Sequence, residues 1–304
     1  MISLYLRCGY ACINQTLKKS FRSFRLQSIL DGDWDKIDEI ICYNFKLLET
    51  IIKWNIDNNF HLFRMSSNII PFLSDPRMMK YIQSTDMYNR LNLVGTINSI
   101  RDLVTSSKMR LTLHLIEYAH INSNSIYTMY DGYAELIQQY KLLKMLGGST
   151  IIFHGGGLYG CNPVSQLERL HSRLYDIRNL VDLSMLAIEN DDRTYTSNYV
   201  KDFAKSLGIG WCFDFHHYRC NPSYNIMETL IDYNPVKYHI STGVTSIYDR
   251  RHAYDIELLD CLKLLGLLMK CGVKDVDMMF ESKGKELSVL NIMKPIGGGY
   301  WTLK

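Results

Sequence analysis

Histidine and carboxylate residues recur at one kind of position in this chain, at or just after the end of short apolar runs. They are His114, His154, Glu189, Asp214 followed by His216 and His217, His239 and Glu281. A single histidine in such a place is more often a hydrogen-bonded structural residue, but six successive runs with ligand-type residues need another explanation. Imidazoles and carboxylates crowded together repel or desolvate one another unless cations lie between them. The pattern therefore predicts a metal cluster in preference to a hydrogen-bonded polar network.

Ligands of this type also restrict the metal and the chemistry. Imidazole and carboxylate without thiolate indicate zinc or manganese, and their number is consistent with two or more ions. Ions about 3.5 to 4 Å apart activate water and hold the attacking and leaving oxygens of a phosphodiester. Phosphoryl transfer is thus the leading reaction class. Thiolate-selected metals are not expected, because the eight cysteines lack CxxC spacing and are interpreted as reduced, intracellular thiols.

The elements that must position these residues alternate between short β-type runs and longer segments with helical spacing. Candidate strands cover residues 2–8, 60–65, 110–114, 149–154, 184–189, 209–214, 236–240 and 276–281. Helical spacing is found for Ile37, Ile41, Phe45, Leu48 and Ile52, and for Leu136, Leu143 and Leu146 ahead of Gly147. Eight alternations predict an α/β chain closed into a (β/α)8 TIM barrel, in which the carboxyl ends of the strands meet at one mouth.

The chain is expected to form one domain over residues 1–304. Its length suits a single barrel, and no Pro/Ser linker or repeat divides it. Residues 283–304 are expected to form a C-terminal tail packed on the barrel. Apolar runs stay short of the roughly 18 residues of a membrane helix, and no targeting signal is visible, so a soluble intracellular protein is expected. The net charge of +3 leaves the partner open.

Short stretches in a specific order carry a resemblance over nearly the whole chain. They are CGYACIN, FRMSSNIIPF, FHGGGLYG, AIENDD, FDFHHYRCNP, VKYHIST, RRHAYDI and FESKGKE. In order and spacing they resemble the ultraviolet-damage endonucleases. The resemblance implies a barrel related to endonuclease IV and to the sugar isomerases. It also implies a nick immediately 5′ of pyrimidine dimers, photoproducts and abasic sites in double-stranded DNA, made with three divalent ions, usually manganese. A monomer is expected, and zinc and magnesium are the alternative metals.

The resemblance implies a role for each ligand-type residue. His114, His154 and the bridging Glu189 would bind the first metal. Glu189, Asp214, His239 and Glu281 would hold the second metal, and His217 and His252 the third. Catalytic roles would fall to Glu189, His217, Lys237 and Glu281. Lys237 matches a lysine that looks carboxylated in the family, and the alternative is an interior lysine paired with Asp or Glu.

Lesion contacts are implied at a second set of positions, namely Tyr10, Asn14, Arg64, Asn68, Glu117 and Tyr118. The damaged pair would be flipped out, at a lower cost for already distorted bases. Two positions depart from the family pattern. The usual His-Pro-Gly-Gln is replaced by residues 114–117, which end in Glu117, so a carboxylate that phosphates repel stands where an amide is usual. Asn68 stands where some relatives carry histidine.

Other interpretations remain open at this point. The glycines of FHGGGLYG lack the Lys-Ser/Thr of a P-loop, so a tight strand-exit loop is expected there. The segment KKSFRSFR places Lys18, Lys19, Arg22 and Arg25 beside Phe21 and Phe24, which fits either a phosphate-gripping surface or a solvated loop with two packing aromatics. A metal-dependent sugar isomerase would use the same strand ends, and a non-catalytic lesion-binding protein should have lost ligands. The ordered match and the complete ligand set favour the endonuclease.

Overall fold

Eight parallel strands form a closed barrel in the computed structural model, which describes residues 3–296 and 299–302. The strands are β1 Ser3–Ala11, β2 Leu62–Met65, β3 Arg110–His114, β4 Thr150–His154, β5 Leu186–Glu189, β6 Gly210–Asp214, β7 Lys237–Ile240 and β8 Asp275–Phe280. Each strand pairs with the next along the chain, and β1 pairs with both β8 and β2. The predicted TIM barrel is confirmed, and all eight predicted strands are present. The first was predicted to begin at residue 2, which lies outside the described residues.

Helices connect the strands on the outside of the barrel. They are α1 Leu26–Asp31, α2 Trp34–Asp57, α3 Pro76–Ser84, α4 Leu91–Ser106, α5 Ile126–Met145, α6 Pro163–Asp176, α7 Ser197–Leu207, α8 Phe215–Cys220, α9 Ile226–Asp232, α10 Leu258–Lys270 and α11 Lys285–Ile296. Short 3-10 turns cover Ser67–Ile69, Met87–Asn89 and Leu183–Met185. In α2 all five residues with the predicted helical spacing are buried, because three- and four-residue steps place them on one face.

The seam between the first two strands depends on a glycine. A Cβ atom on Gly9 would lie 2.3 Å from the Leu62 carbonyl oxygen, so no larger residue fits there without moving the backbone of β2. Gly9 pairs with Leu62 in the β1–β2 ladder that closes the barrel. The closure brings the end of β1 beside the ends of β2 and β8, where ligand-type residues follow.

The chain after β8 returns to the first strand. Helix α11 packs near β1, and strand β9 (Gly299–Thr302) pairs with β1 in the antiparallel direction. The predicted tail of residues 283–304 therefore contains regular structure, while its positions 297–298 and 303–304 lie outside the described residues. Within the described part of the chain, no helix is both long enough and apolar enough to cross a bilayer.

Candidate metal centre at the barrel mouth

Seven of the eight predicted metal ligands meet at the carboxyl end of the barrel. Among the described residues, four groups have ligand atoms within 4.8 Å of one another. The groups are His114–His154–Glu189, Glu189–Asp214–His217, Asp214–His239–Glu281 and Glu189–Cys212–His239. Parallel strands end at the same edge of the sheet, which is why residues far apart in the chain converge here. Overlapping groups that share Glu189 and Asp214 could hold more than one ion.

Glu189 lies at the centre and presents its two carboxylate oxygens to different neighbours. Its Oε2 atom lies 2.9 Å from His114 Nε2 and 3.9 Å from His154 Nε2. Its Oε1 atom lies 2.9 Å from His239 Nδ1 and 3.5 Å from His217 Nδ1. The side chain is 1% exposed. This division of the two oxygens is the arrangement that a bridging carboxylate requires.

Asp214 both offers a ligand oxygen and positions His217. It is the N-cap of α8, where its Oδ1 atom accepts a hydrogen bond of 2.7 Å from the His217 backbone N–H. The His217 ring in turn has Nδ1 2.9 Å from the Asn190 carbonyl oxygen. The Asn190 side chain accepts from the Asp214 N–H at 2.9 Å and donates to the Asp214 carbonyl oxygen at 3.0 Å. Asn190 was not among the predicted site residues, although it directly follows Glu189 in AIENDD.

The electrostatics of the cluster favour cations. Burial alone would raise the pKa of the Glu189 carboxyl, but the neighbouring histidines, His239 foremost, bring that pKa well below its ordinary value. Burial would also lower the pKa of His217, yet Asp214 and Glu189 raise it to about 9. Burial lowers the pKa of the His154 imidazole. Ionised carboxylates beside a strongly basic imidazole mark a site of negative potential.

Several atoms of the ligand-type residues at the mouth have no hydrogen-bond partner among the described residues. The atoms His154 Nδ1, Asp214 Oδ2 and His239 Nε2 are buried and accept or donate no hydrogen bond within the described residues. A buried polar atom without a hydrogen-bond partner costs about 1 to 3 kcal/mol, so each of these atoms lowers the stability of the metal-free chain. Nitrogen and oxygen donors of this set suit divalent manganese or zinc. The residues present therefore fit a metal centre.

His252 is the one predicted ligand that lies outside these groups. It forms an isolated β-bridge with Gly243, and its ring lies 5.7 Å from the ring of His216, centroid to centroid. His216 is fully buried, and its Nε2 atom has no hydrogen-bond partner among the described residues. The described residues bring His252 into contact with the neighbour of His217 rather than with His217 itself. The pairing of His217 with His252 on a third metal stays a prediction.

One cysteine lies beside the predicted ligands, and the expectation that thiolate takes no part in the centre stays a prediction. Cys212 is fully buried on β6, and its Sγ atom lies within 4.8 Å of ligand atoms of Glu189 and His239. Sequence reasoning looked for close cysteine pairs and so did not weigh a single cysteine. The available signal was its position two residues before Asp214, because alternate residues of a strand share a face.

Lys237 crosses the barrel interior. Its Nζ atom donates a 2.6 Å hydrogen bond to Thr112 Oγ1 on β3, which is not adjacent to β7. Burial lowers the pKa of the Lys237 amine to about 8. No ion pair of Lys237 with Asp or Glu is present among the described residues, so its direct partner is a hydroxyl and not the carboxylate of the alternative interpretation. Whether the amine is carboxylated stays a prediction.

Tyr10 and Asn14 are not exposed as lesion-contacting residues would be. The first strand was predicted to end at Cys8, but β1 continues to Ala11, so Tyr10 belongs to the strand and is fully buried. Its hydroxyl donates to Asn55 Oδ1 at 2.6 Å and accepts from Asn14 Nδ2 at 2.8 Å. The predicted lesion contact of these two residues would require this network to open.

The other four predicted lesion residues differ in exposure, from the largely enclosed Arg64 to the exposed Tyr118. Arg64 forms an ion pair with Glu281 and is largely enclosed, so it holds a ligand candidate in place. Burial alone would raise the pKa of Glu281, and Arg64 foremost among its neighbours lowers it strongly. Asn68, Glu117 and Tyr118 are exposed, and Tyr118 is 80% exposed on the loop after β3.

The glycine loop and the basic segment also take definite forms. Gly156 has φ +77°, and a Cβ there would lie 2.2 Å from Asn122 Oδ1, as expected for a tight loop after β4. Within the basic segment Phe24 is buried, while all four basic side chains are exposed. The exposed side chains are Lys18, Lys19, Arg22 and Arg25. Phe24 therefore packs in the core, and the four basic side chains are accessible to solvent.

Comparison with known proteins gives a consistent assignment. The model of the family described as UV-endonuclease UvdE matches residues 6–299. A UV DNA damage endonuclease of Bacillus cereus (strain G9842) is 27% identical over 289 residues, which cover 90% of this chain and 87% of the relative. The crystal structure of SacUVDE is similar, with a TM-score of 0.80 and 22% identity over 96% of this chain and 98% of that chain.

A more distant structure shares the barrel. Endonuclease IV from Thermus thermophilus has a TM-score of 0.59 and 14% identity, covering 82% of this chain and 93% of that chain. Identities this low show the fold alone. The family match, in contrast, extends over nearly all of the chain and includes every residue of the candidate metal centre.

Proposed function

Because the chain belongs to the UV-endonuclease UvdE family and is a DNA repair endonuclease, we propose that it nicks damaged double-stranded DNA immediately 5′ of the lesion. The proposed lesions are pyrimidine dimers, other photoproducts and abasic sites. The proposed centre contains three divalent ions, with manganese as the resident metal and zinc or magnesium as substitutes. The chain is proposed to work as a monomer with a single barrel domain. A sugar isomerase or a non-catalytic lesion-binding protein is disfavoured by the family match.

The observation that carries this proposal is the double use of Glu189. One carboxylate oxygen faces His114 and His154, and the other faces His239 and His217. When bound, the ions would supply an activated water and the positive charge that stabilises the departing 3′ oxygen. Glu189 would keep the two sets of ligands at a fixed separation, since its side chain is buried and held on both sides.

Neighbouring residues would keep the ligands in place. Asp214 orients His217 through the N-cap hydrogen bond, and Arg64 holds Glu281 against the mouth. Lys237 is proposed as a catalytic residue that lies beneath the ligands and becomes carboxylated. Burial lowers the pKa of its amine to about 8. An amine with a lowered pKa is more often neutral and can then react with carbon dioxide. Carboxylation would be tested by the mass of the intact protein with and without bicarbonate.

The test uses supercoiled plasmid with and without ultraviolet irradiation. We expect nicking of irradiated plasmid with Mn²⁺, no nicking with a chelator, and recovery when Mn²⁺ is restored. The variants Glu281→Gln and His239→Ala should lose cleavage but keep the circular dichroism spectrum of the parent. Unchanged cleavage by either variant would overturn the assigned centre.

The position of the cut is tested separately. A duplex oligonucleotide with one defined pyrimidine dimer, labelled at either end, locates the nick to a single bond. We expect one product that ends immediately 5′ of the dimer. A cut on the 3′ side, or equal cutting of the undamaged duplex, would contradict the proposed function.

A further inference from the structure

Cys212 differs from an ordinary buried cysteine in what surrounds its sulfur. On one side it packs with Ile152 and Ala187 in the barrel interior. On the other side its Sγ atom lies within 4.8 Å of ligand atoms of Glu189 and His239. No hydrogen bond to this sulfur is present among the described residues. The sulfur therefore lies at the boundary between the apolar interior and the metal ligands.

Another buried cysteine provides the comparison. Cys261 on α10 is as completely buried, but its Sγ atom contacts the Met278 sulfur at 3.9 Å and belongs to the main hydrophobic core. Filling space in this way is the usual role of a buried thiol. Cys212 has the same burial and a polar neighbourhood, so packing alone does not account for its position.

Independent atoms point to a ligand beside Cys212. His239 is fully buried, and its Nε2 atom has no hydrogen-bond partner within the described residues. Asp214, also fully buried, has an unpartnered Oδ2 atom. Asp214 Oδ2 has only longer contacts, with His217 Nδ1 at 3.7 Å and His239 Nδ1 at 4.0 Å, so neither atom is hydrogen-bonded within the described residues. A cation bound by the group of Glu189, Cys212 and His239 would take one donor atom from each of the three residues.

We infer that Cys212 is a thiolate ligand of the ion shared by Glu189 and His239, and that it shifts the preference of the centre from manganese toward zinc, cobalt and cadmium. The inference rests on the proposed metal centre. As the sulfur–metal bond forms, the S–H bond breaks and its proton passes to water, with no change of oxidation state. Soft thiolate ligands favour zinc and similar ions, whereas manganese prefers oxygen donors.

Charge at this end of the barrel is compatible with a further anionic ligand. Glu189, Asp214 and Glu281 bring three negative charges at most, whereas the three divalent ions of the proposed centre would bring six positive charges. Lys237, the register partner of Cys212 on the next strand, adds a basic group beneath the centre. A thiolate would thus offset positive charge instead of adding to repulsion.

Cobalt(II) added to the metal-free full-length protein gives a direct readout. Binding of cobalt at the centre produces visible d–d absorption, and a thiolate ligand adds a sulfur-to-cobalt charge-transfer band in the near ultraviolet. We expect both signals in the parent chain. The variants Cys212→Val and Cys212→Ser should keep the d–d absorption and lose the charge-transfer band, and Cys261→Val should keep both.

The outcomes separate this inference from the proposed function. Visible bands without a charge-transfer band in the parent, or a band that persists in both Cys212 variants, would overturn the thiolate ligand and leave the metal centre standing. No cobalt binding at all would overturn both. The ratio of cadmium to manganese affinity gives a second measure, and we expect it to fall about tenfold or more in Cys212→Val. An unchanged ratio would also contradict the inference.

Discussion

The two ends of the barrel use charged residues in opposite ways. At the end of the barrel where the strands begin, Arg7 pairs with Asp275 at 2.6 Å and also with Asp277, and Arg110 lies 3.3 Å from Asp277. At the carboxyl end, carboxylates and imidazoles crowd around Glu189.

The two ends differ in whether their buried polar atoms have hydrogen-bond partners. Within the described part of the chain, the buried side-chain atoms of Arg7 and Asp277 all have hydrogen-bond partners, whereas ligand-type residues at the mouth have buried atoms without one, namely His154 Nδ1, Asp214 Oδ2 and His239 Nε2. Opposite charges that satisfy one another stabilise a fold and leave nothing for a ligand. Buried polar atoms without partners cost stability and are retained where binding or catalysis uses them.

The largest expected effect comes from removing the central charge at the mouth. Glu189→Gln keeps the side-chain shape but removes the negative charge that both sets of ligands share. We expect the nicking rate on irradiated plasmid to fall roughly a thousandfold, since a lost metal ligand costs more than the 10- to 100-fold of an outer partner. The melting temperature should stay within a few degrees. A loss of less than tenfold would contradict the central role of Glu189.

A substitution at the end of the barrel where the strands begin should have the opposite effect, a loss of stability without a loss of activity. Arg7→Met leaves Asp277 with only Arg110, so we expect about 2 kcal/mol lower free energy of unfolding, measured in urea. The nicking rate per folded molecule should not change. Arg77→Met is the control, because the Arg77–Asp75 pair is exposed and should contribute little. Loss of activity in folded Arg7→Met would erase the contrast between the two ends.

A smaller effect is expected at the exposed edge of the mouth. Tyr118 is 80% exposed, so Tyr118→Ala should leave stability unchanged. If the ring stacks on a base, its removal should weaken binding to a dimer-containing duplex about tenfold, measured by fluorescence anisotropy with a metal that does not support cleavage. Tyr175→Ala, an exposed tyrosine near the end of α6, is the matched control. Equal losses in the two variants would argue against a specific contact.

The smallest effect concerns the carboxylate beside that tyrosine. Glu117→Gln removes one exposed negative charge, so we expect about two- to threefold tighter DNA binding at low salt and no difference at high salt. Titrations at two salt concentrations measure this. Weaker binding of the variant would instead indicate that the carboxylate makes a favourable contact.

Much of the fold and part of the site could be predicted because both depend on local patterns. Strand and helix periodicity located all eight strands, and ligand-type residues at strand ends had to meet once the barrel closed. The difference at β1 has an equally local cause. Its end was predicted three residues early, at Cys8 instead of Ala11, whereas the lesion contact of Tyr10 came from the resemblance, which carries no information on the burial of that side chain.

The sequence by itself determined that the ligand-type side chains at six strand ends reach one mouth, because parallel strands end at one edge of the barrel. Only the tertiary structure decided which atoms meet there. The division of the Glu189 oxygens, the contact of Arg64 with Glu281 and the position of the Cys212 sulfur depend on strand stagger and side-chain rotamers. Those contacts join strands that are far apart in the chain, so no local pattern encodes them.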